Sequence, residues 1–243
     1  MPVYSSISLY ARSCKGNFRQ ENQDFFLVKM ISPTRAILAV ADGVGGSKNG
    51  KLAAFSAVDF INKHLTRFPL DLRQMADVAS KAGEMITALN TARADSDPMG
   101  TTLTAVAVDG LEAGWVHVGD SRVHQLRVKG SLETITQDHR FIQELINTGE
   151  LSPAQALTHP MKNILDQCLG CPDLKPDTGR IKLSPGDHIL LTTDGLHDHV
   201  QASQMVSAFL PTRALDETAD ILLKQAIKNN SRDNLCLAIA RLE

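Results

Sequence analysis

Three apolar runs each end on an aspartate: AILAVA before Asp42-Gly43, WVHVG before Asp120-Ser121, and ILLTT before Asp194-Gly195. Short apolar runs bounded by turn residues read as buried strands, so each acid is delivered to the edge of a sheet. For any one of them a tight turn is the ordinary meaning of Asp-Gly after a strand, but the repetition weakens that reading. Asp42 is followed by Gly-Val-Gly-Gly and then a helical pattern. That corner is no two-residue hairpin, and its glycines let backbone carbonyls approach a ligand closely. Asp24 and Asp233 open strands instead, after the polar stretches RQENQ and NNSR. Acids crowded on one edge repel by kilocalories unless protons or cations neutralise them. An all-oxygen ligand set favours Mg²⁺ or Mn²⁺ over Zn²⁺ or Cu²⁺. Two such ions about 4 Å apart activate a shared water toward phosphorus while an arginine holds the phosphate oxygens. Arg19 is placed for that role.

The elements that must position these residues follow from periodicity. Residues 5–12, 24–31 and 35–41 read as strands. Apolar residues recurring at three and four (Leu52, Phe55, Val58, Ile61, Leu65; then Met75, Val78, Ala82, Met85, Leu89) predict helices from Lys48 to Arg67 and from Leu72 to Arg93. TTLTAVAVD, GWVHVGD and RVHQLRVK, joined by short turns, predict an antiparallel meander. Residues 138–168 are polar and helix-leaning, with Ser152-Pro153 as a helix start, and belong outside the sheets. Strands at 178–183 and 187–193, helices at 201–210 and 214–228, and a closing strand NLCLAIARL complete the chain. Strands in blocks and helices in blocks point to an α+β fold of antiparallel sheets with helices on their outer faces.

At 243 residues, one domain spanning 1–243 is expected. Hydrophobic residues at 43% and charged residues at 21% exclude a disordered or fibrous chain. A net charge of -2 offers no basic footprint for a nucleic acid. Cys14, Cys168, Cys171 and Cys236 are too few and too unevenly spaced for a disulfide framework, which suits a reducing cytosol. The Cys168-x-x-Cys171 pair lacks the further soft ligands a structural zinc needs, so these are read as loop or core thiols. The first residues lack the basic head and apolar stretch of a signal peptide, and no run approaches the roughly 20 apolar residues of a membrane span. A soluble cytoplasmic protein without membrane insertion is expected.

The ordered set Gly16-Asn17-x-Arg19-x-x-Asn22-Gln23-Asp24, Ala41-Asp42-Gly43-Val44-Gly45-Gly46, Gly100-Thr101-Thr102-Leu103, Gly119-Asp120-Ser121-Arg122, Thr193-Asp194-Gly195-Leu196 and Asp233-Asn234 resembles the metal-dependent Ser/Thr protein phosphatases of the phosphatase 2C (PPM) family. Each piece alone is weak, and all in family order are specific. The resemblance implies an αββα sandwich with two Mg²⁺ or Mn²⁺ ions at one end. It implies that Asp42 bridges both ions, that the Gly43 carbonyl binds the second, and that Asp194 and Asp233 complete the first. Arg19 would grip the substrate phosphate, Asp24 would orient water around the ions without binding them, and Asp120 with Asp194 would help hold a third metal. Residues 140–160 fall where bacterial relatives carry a mobile flap. The implied substrates are phosphoserine and phosphothreonine proteins, those of a cognate Ser/Thr kinase, with the enzyme a monomer.

Departures from the family pattern bear on the mechanism. Val44 stands where many relatives have a histidine proposed to protonate the leaving oxygen, so water or another group must serve. Gln23 in place of a glutamate common in eukaryotic members reads as a bacterial signature. His197 and His199 are read as surface or helix-start residues, and Asp138, Asp187 and Asp198 as caps or turn residues. Two rival readings have less support. A non-catalytic binding module on this fold would have lost metal-binding acids, and Asp42, Asp194 and Asp233 are all present. A haloacid-dehalogenase-type phosphatase needs an Asp-x-Asp nucleophile motif after its first strand, which is absent.

Overall fold

Alternation along one central strand, β3 (Arg35–Val44), sets the layering. Ile37 and Ala39 face one way, into a cluster with helical residues such as Ala53, Ile61, Met75 and Ile86. Ala36, Leu38 and Val40 face the other way and pack against Ile189, Leu191, Ala238 and Ala240 of a second sheet. A strand buried on both faces needs a layer on each side. A computed structural model describes residues 6–44, 49–65, 68, 71–93, 98–156 and 158–243.

In chain order the elements are β1 (Ile7–Cys14), β2 (Asp24–Ser32), β3, α1 (Gly50–His64), α2 (Leu72–Ala92), β4 (Gly100–Thr101), β5 (Leu103–Asp109), β6 (Glu112–Val118), β7 (Arg122–Leu126) and β8 (Leu132–Thr134). There follow α3 (Phe141–Asn147), α4 (Pro153–Ala156), β9 (Asp177–Lys182), β10 (His188–Thr192), α5 (Asp194–His197), α6 (Ala202–Ala208), α7 (Leu215–Lys228) and β11 (Leu235–Leu242). One antiparallel sheet has the order β2-β3-β5-β6-β9, with β4 paired to the end of β3, and the other the order β1-β11-β10-β7-β8. Helices α1 and α2 cover the first sheet. The outer face of the second, Leu190, Leu235, Leu237 and Ile239, is covered by Leu196, Met205, Ala219 and Leu222 from α5, α6 and α7. The result is the four-layer αββα sandwich that the family resemblance implied.

Two expectations need correction, and one element was not foreseen. The meander stops after two strands: β5 and β6 pair, but β7 leaves for the other sheet and pairs β10. The corner between them carries the chain across the sandwich. Gly119 adopts φ +101 there, and a Cβ at that position would stand 2.6 Å from Thr102 Cγ2, so only glycine fits. Cys168 and Cys171 form a disulfide, closed over a turn at Leu169-Gly170, instead of remaining separate thiols. A short helix the sequence did not predict, α5, starts at Asp194, with Thr193 in the N-cap position.

Other boundaries shift modestly. Segment 138–168 does lie outside the sheets, as α3, α4 and turns. Gly45, Gly46, Lys48 and Arg67 lie outside the described residues. No helix among the described residues is long and apolar enough to cross a membrane.

Candidate metal and phosphate site

Asp42, near the end of β3, sits directly across from Asp24, the first residue of β2, in the antiparallel register. Two threonines hold the Asp42 backbone in place. Its N–H donates to Thr102 Oγ1 at 2.9 Å, and its carbonyl accepts from Thr102 N at 2.9 Å and from Thr101 Oγ1 at 2.7 Å. Thr102 Oγ1 in turn stands 2.8 Å from Ser121 Oγ, tying this corner to the turn that carries Asp120. From the second sheet, the end of β10 brings in Asp194, and the start of β11 brings in Asp233. These two segments pass closely because residue 195 has no side chain: a Cβ on Gly195 would fall 2.0 Å from the Asn234 carbonyl oxygen.

The outcome is one cleft of about 520 Å³ lined by Arg19, Asp42, Gly43, Asp120, Asp194 and Asp233 among others, with Asn163 and Leu165 from the segment outside the sheets forming part of its wall. Asp24 is not on the surface of this cleft. It lies buried behind it, its Oδ2 accepting from Thr193 Oγ1 at 2.8 Å and its Oδ1 having no hydrogen-bond partner.

Arg19 is carried by the loop between β1 and β2, and Asn234 fastens that loop. The Asn234 side chain accepts from Gln23 N at 3.0 Å and donates to the carbonyls of Lys15 and Glu21 at 2.9 Å each. So held, Arg19 forks onto Asp233, with Nε to Oδ1 at 2.8 Å and Nη2 to Oδ2 at 2.5 Å. A fork of this kind matches a carboxylate and a phosphate equally well.

The acids strain against one another. Burial raises Asp42 well above the usual carboxylate range, and the charges of Asp24, Asp194, Asp120 and Asp233 add to the effect. Asp194 is raised well above its usual value by burial first and then by Asp120, Asp233 and Asp198. Burial pushes Asp24 up to about 7. Asp120 is raised by burial, against the pull of Arg140, whose Nε donates to its Oδ2 at 2.8 Å. Such shifts mark a place where a cation would be welcome.

Among the described residues no three His, Cys, Asp or Glu side chains already stand in metal-ligand geometry, since Asp233 is turned onto Arg19 and Asp120 onto Arg140. The donor set nonetheless fits a hard divalent ion. It is all oxygen, it is crowded with like charge, and the buried Asp194 Oδ1 has no hydrogen-bond partner.

Some residues behave otherwise than their sequence context suggested. His197 is buried, its Nδ1 2.8 Å from Thr192 Oγ1, and so is a core residue instead of a surface one. Asp138 is no cap: it accepts a two-pronged bond from Arg122, at 2.7 Å to each oxygen. Asp198 does cap α5, and Asp187 does close a turn by accepting from Ser184 N at 3.0 Å. The sequence reading missed three supporting residues, Asn234 as a staple, Thr193 as the donor to Asp24, and Arg140. The first two sit beside motif aspartates and could have been suspected from position. Nothing in the spacing around Arg140 points to Asp120.

Comparison with known proteins follows the same line. Residues 18–230 match the model of the protein phosphatase 2C family. The chain is 33% identical over 233 residues to the serine/threonine protein phosphatase PstP of Mycobacterium tuberculosis, covering 95% of this chain but 44% of that protein. It thus spans less than half the length of that relative. It is 30% identical to the protein phosphatase PhpP of Streptococcus pneumoniae, covering 93% of this chain and 94% of that one. The solved catalytic domain of PstP in complex with two manganese ions superposes with a TM-score of 0.83 at 29% identity, covering 97% of each chain.

Proposed function

The chain belongs to the protein phosphatase 2C family, and from that premise we propose that it is a metal-dependent phosphoprotein phosphatase acting on phosphoserine and phosphothreonine. One observation carries the reading: Asp42, Asp194 and Asp233, far apart in the chain and supplied by both sheets, line a single cleft together with Arg19. Asp42, the Gly43 carbonyl, Asp194 and Asp233 would hold two divalent ions, Mg²⁺ or Mn²⁺, and the manganese in the PstP structure supports the choice of a divalent metal. When bound, those ions would supply charge neutralisation of the acids and Lewis-acid activation of water at phosphorus.

The protein's own groups have defined tasks in this scheme. Arg19, half-exposed at the cleft wall, binds the phosphate oxygens by the fork it now presents to Asp233. Asp24, buried behind Asp42, fixes the orientation of water by hydrogen bonding from outside the metal ligands. Asp120 is the candidate ligand for a third ion, shared with Asp194, at a corner the Arg140 guanidinium must vacate before that ion can bind. Val44 supplies no proton, so water or another group must protonate the leaving oxygen. Attack by water directly on phosphorus leaves no acid-stable phosphoenzyme.

The 140–160 segment acts as a flap governing access to the cleft, and the substrates are phosphorylated proteins of a cognate kinase. A single-domain cytoplasmic monomer without nucleic-acid or membrane partners completes the proposal.

The test is turnover of a chromogenic aryl phosphate and of phosphoserine and phosphothreonine peptides with Mn²⁺, by the wild type and by Asp42→Ala and Asp194→Ala. Loss of activity in both variants is expected. Unchanged rates in both refute the assignment.

A further inference from the structure

Arg140 has no role in the phosphatase scheme, yet it makes the densest set of charged contacts around the cleft. It stands at the neck of the 141–164 segment. Arg140 pairs with Leu165 in an antiparallel bridge, Phe141 N donates to Ile164 O at 2.9 Å, and Asp166 N donates to His139 O at 3.1 Å. These bonds close the segment into a loop with a single neck, and Asn163 and Leu165 on the far side of that neck line the cleft.

From the neck the Arg140 side chain, 11% exposed, reaches into the acids. Its Nε donates to Asp120 Oδ2 at 2.8 Å, and its Nη2 reaches Asp198 Oδ2 at 3.3 Å and lies 4.0 Å from Asp194 Oδ2. Asp138 Oδ2 is 3.7 Å from its Nε, but that carboxylate is already matched by the fork of Arg122. Arg140 is therefore the cation seated against Asp120 and within 4.0 Å of Asp194, and it shares Asp198 with Arg122, whose Nη2 lies 4.0 Å from Asp198 Oδ1. A guanidinium does not lose its proton in a protein, so this charge is permanent.

We propose that Arg140 is a positioning residue that serves as the built-in counter-cation of the Asp120–Asp194–Asp198 corner, excluding a third divalent ion while seated and coupling that corner's charge to the position of the 141–164 loop. The inference rests on the phosphatase reading for the two-ion site, and it concerns a residue outside that site. Its physical basis is competition. A divalent ion bound through Asp120 and Asp194 would stand within a few ångströms of the guanidinium, and two cations that close repel strongly in a partly buried setting. Either the ion stays out, or Arg140 leaves Asp120 and loosens the neck whose backbone it belongs to. Neck movement displaces Asn163 and Leu165, and with them one wall of the cleft.

The experiment counts Mn²⁺ per chain by equilibrium dialysis with metal analysis, and measures the rate at which a broad-specificity protease cleaves the 141–164 loop. Both are done for the wild type, Arg140→Gln and Arg140→Lys. The wild type should bind two ions with the loop protected. Arg140→Gln should admit a third ion at least about tenfold more tightly, the low end for removing one like charge a few ångströms away, and should be cleaved about tenfold faster. Arg140→Lys keeps the charge but cannot fork across Asp120 and Asp198, so it should stay at two ions and still be cleaved faster than the wild type.

A glutamine variant with the wild-type ion count and cleavage rate overturns the proposal, and a change in one without the other overturns the coupling. If Arg140→Gln does not fold, a lysine variant cleaved at the wild-type rate is the refuting result. Manganese-dependent turnover of a phosphopeptide by the wild type, measured alongside, separates the two levels. Wild-type turnover with an unaltered glutamine variant sinks this inference alone, whereas a wild type without metal binding or turnover sinks both.

Discussion

Replacing Asn234 with alanine should damage both stability and turnover, and the size of each effect follows from the geometry. The side chain is 5% exposed and makes bonds to Gln23 N, Lys15 O and Glu21 O, all on the loop that carries Arg19. Alanine leaves an N–H and two carbonyls of that loop without their protein partner. A net hydrogen bond is worth about 1 kcal/mol, and stranding its partners adds to the loss, so the total is about 2–4 kcal/mol. For a chain of this size that corresponds to a fall in Tm of roughly 4–16 °C.

The catalytic effect comes from Arg19. A phosphate-binding fork held by a loosened loop is misplaced on the ångström scale, which costs about tenfold or more in kcat/KM. Asn234→Asp should be no better, since it turns a carboxylate oxygen toward two carbonyls. Thermal melts and steady-state kinetics on a phosphopeptide check both effects. An alanine variant that melts within about 1 °C of the wild type, with unchanged kcat/KM, would show that Asn234 does not position Arg19 and would refute the reasoning.

Two further outcomes follow from buried groups. Gly195→Ala forces a Cβ to within 2.0 Å of the Asn234 carbonyl oxygen. The two strands carrying Asp194 and Asp233 must then separate, so either soluble protein is lost or stability drops by about 3 kcal/mol or more, and a normal melting curve would count against the packing described. His117 is buried between Thr104 and the Gln137 carbonyl, and burial lowers its pKa to about 4 from 6.5. The unfolded chain therefore binds the proton more readily. The contribution of His117 is fully present above about pH 6.5 and is lost as pH falls toward 4, amounting to about 2 kcal/mol by pH 5. Asp24, raised to about 7, shifts in the opposite sense, so the readout is the difference in urea midpoints between pH 7.5 and pH 5 in the wild type minus that in His117→Gln. An identical pH dependence in the two proteins would show that the imidazole does not titrate as buried.

The legible parts of this protein are those governed by local chemistry. Asp42, Asp120 and Asp194 could be picked out because an apolar run followed by an acid and a glycine or serine is a pattern within ten residues. The helices were readable because their apolar residues recur at three and four, and β3 because Ile37 and Ala39 alternate with Ala36, Leu38 and Val40. The meander failed at Gly119. A tight corner looks the same in sequence whether the next strand stays in its sheet or crosses to another, and the destination is decided by which buried face of β7 finds a partner. The C-x-x-C pair was read by its missing zinc ligands, whereas the turn at Leu169-Gly170 brings the two sulfurs together.

From the sequence alone came the longer strands and helices, though not β8 or α5, together with their amphipathic faces and the placing of each acid at a strand end, because turn chemistry and the periods of strand and helix are written into neighbouring residues. The tertiary structure alone decided the company each side chain keeps: Arg19 on Asp233 across 214 positions, Asn234 stapling the loop at 15–23, and Arg140 on Asp120 across the mouth of a loop. Those pairings arise when the sheets and helices close over their apolar faces and leave the polar ends side by side. No spacing along the chain records which ends will meet.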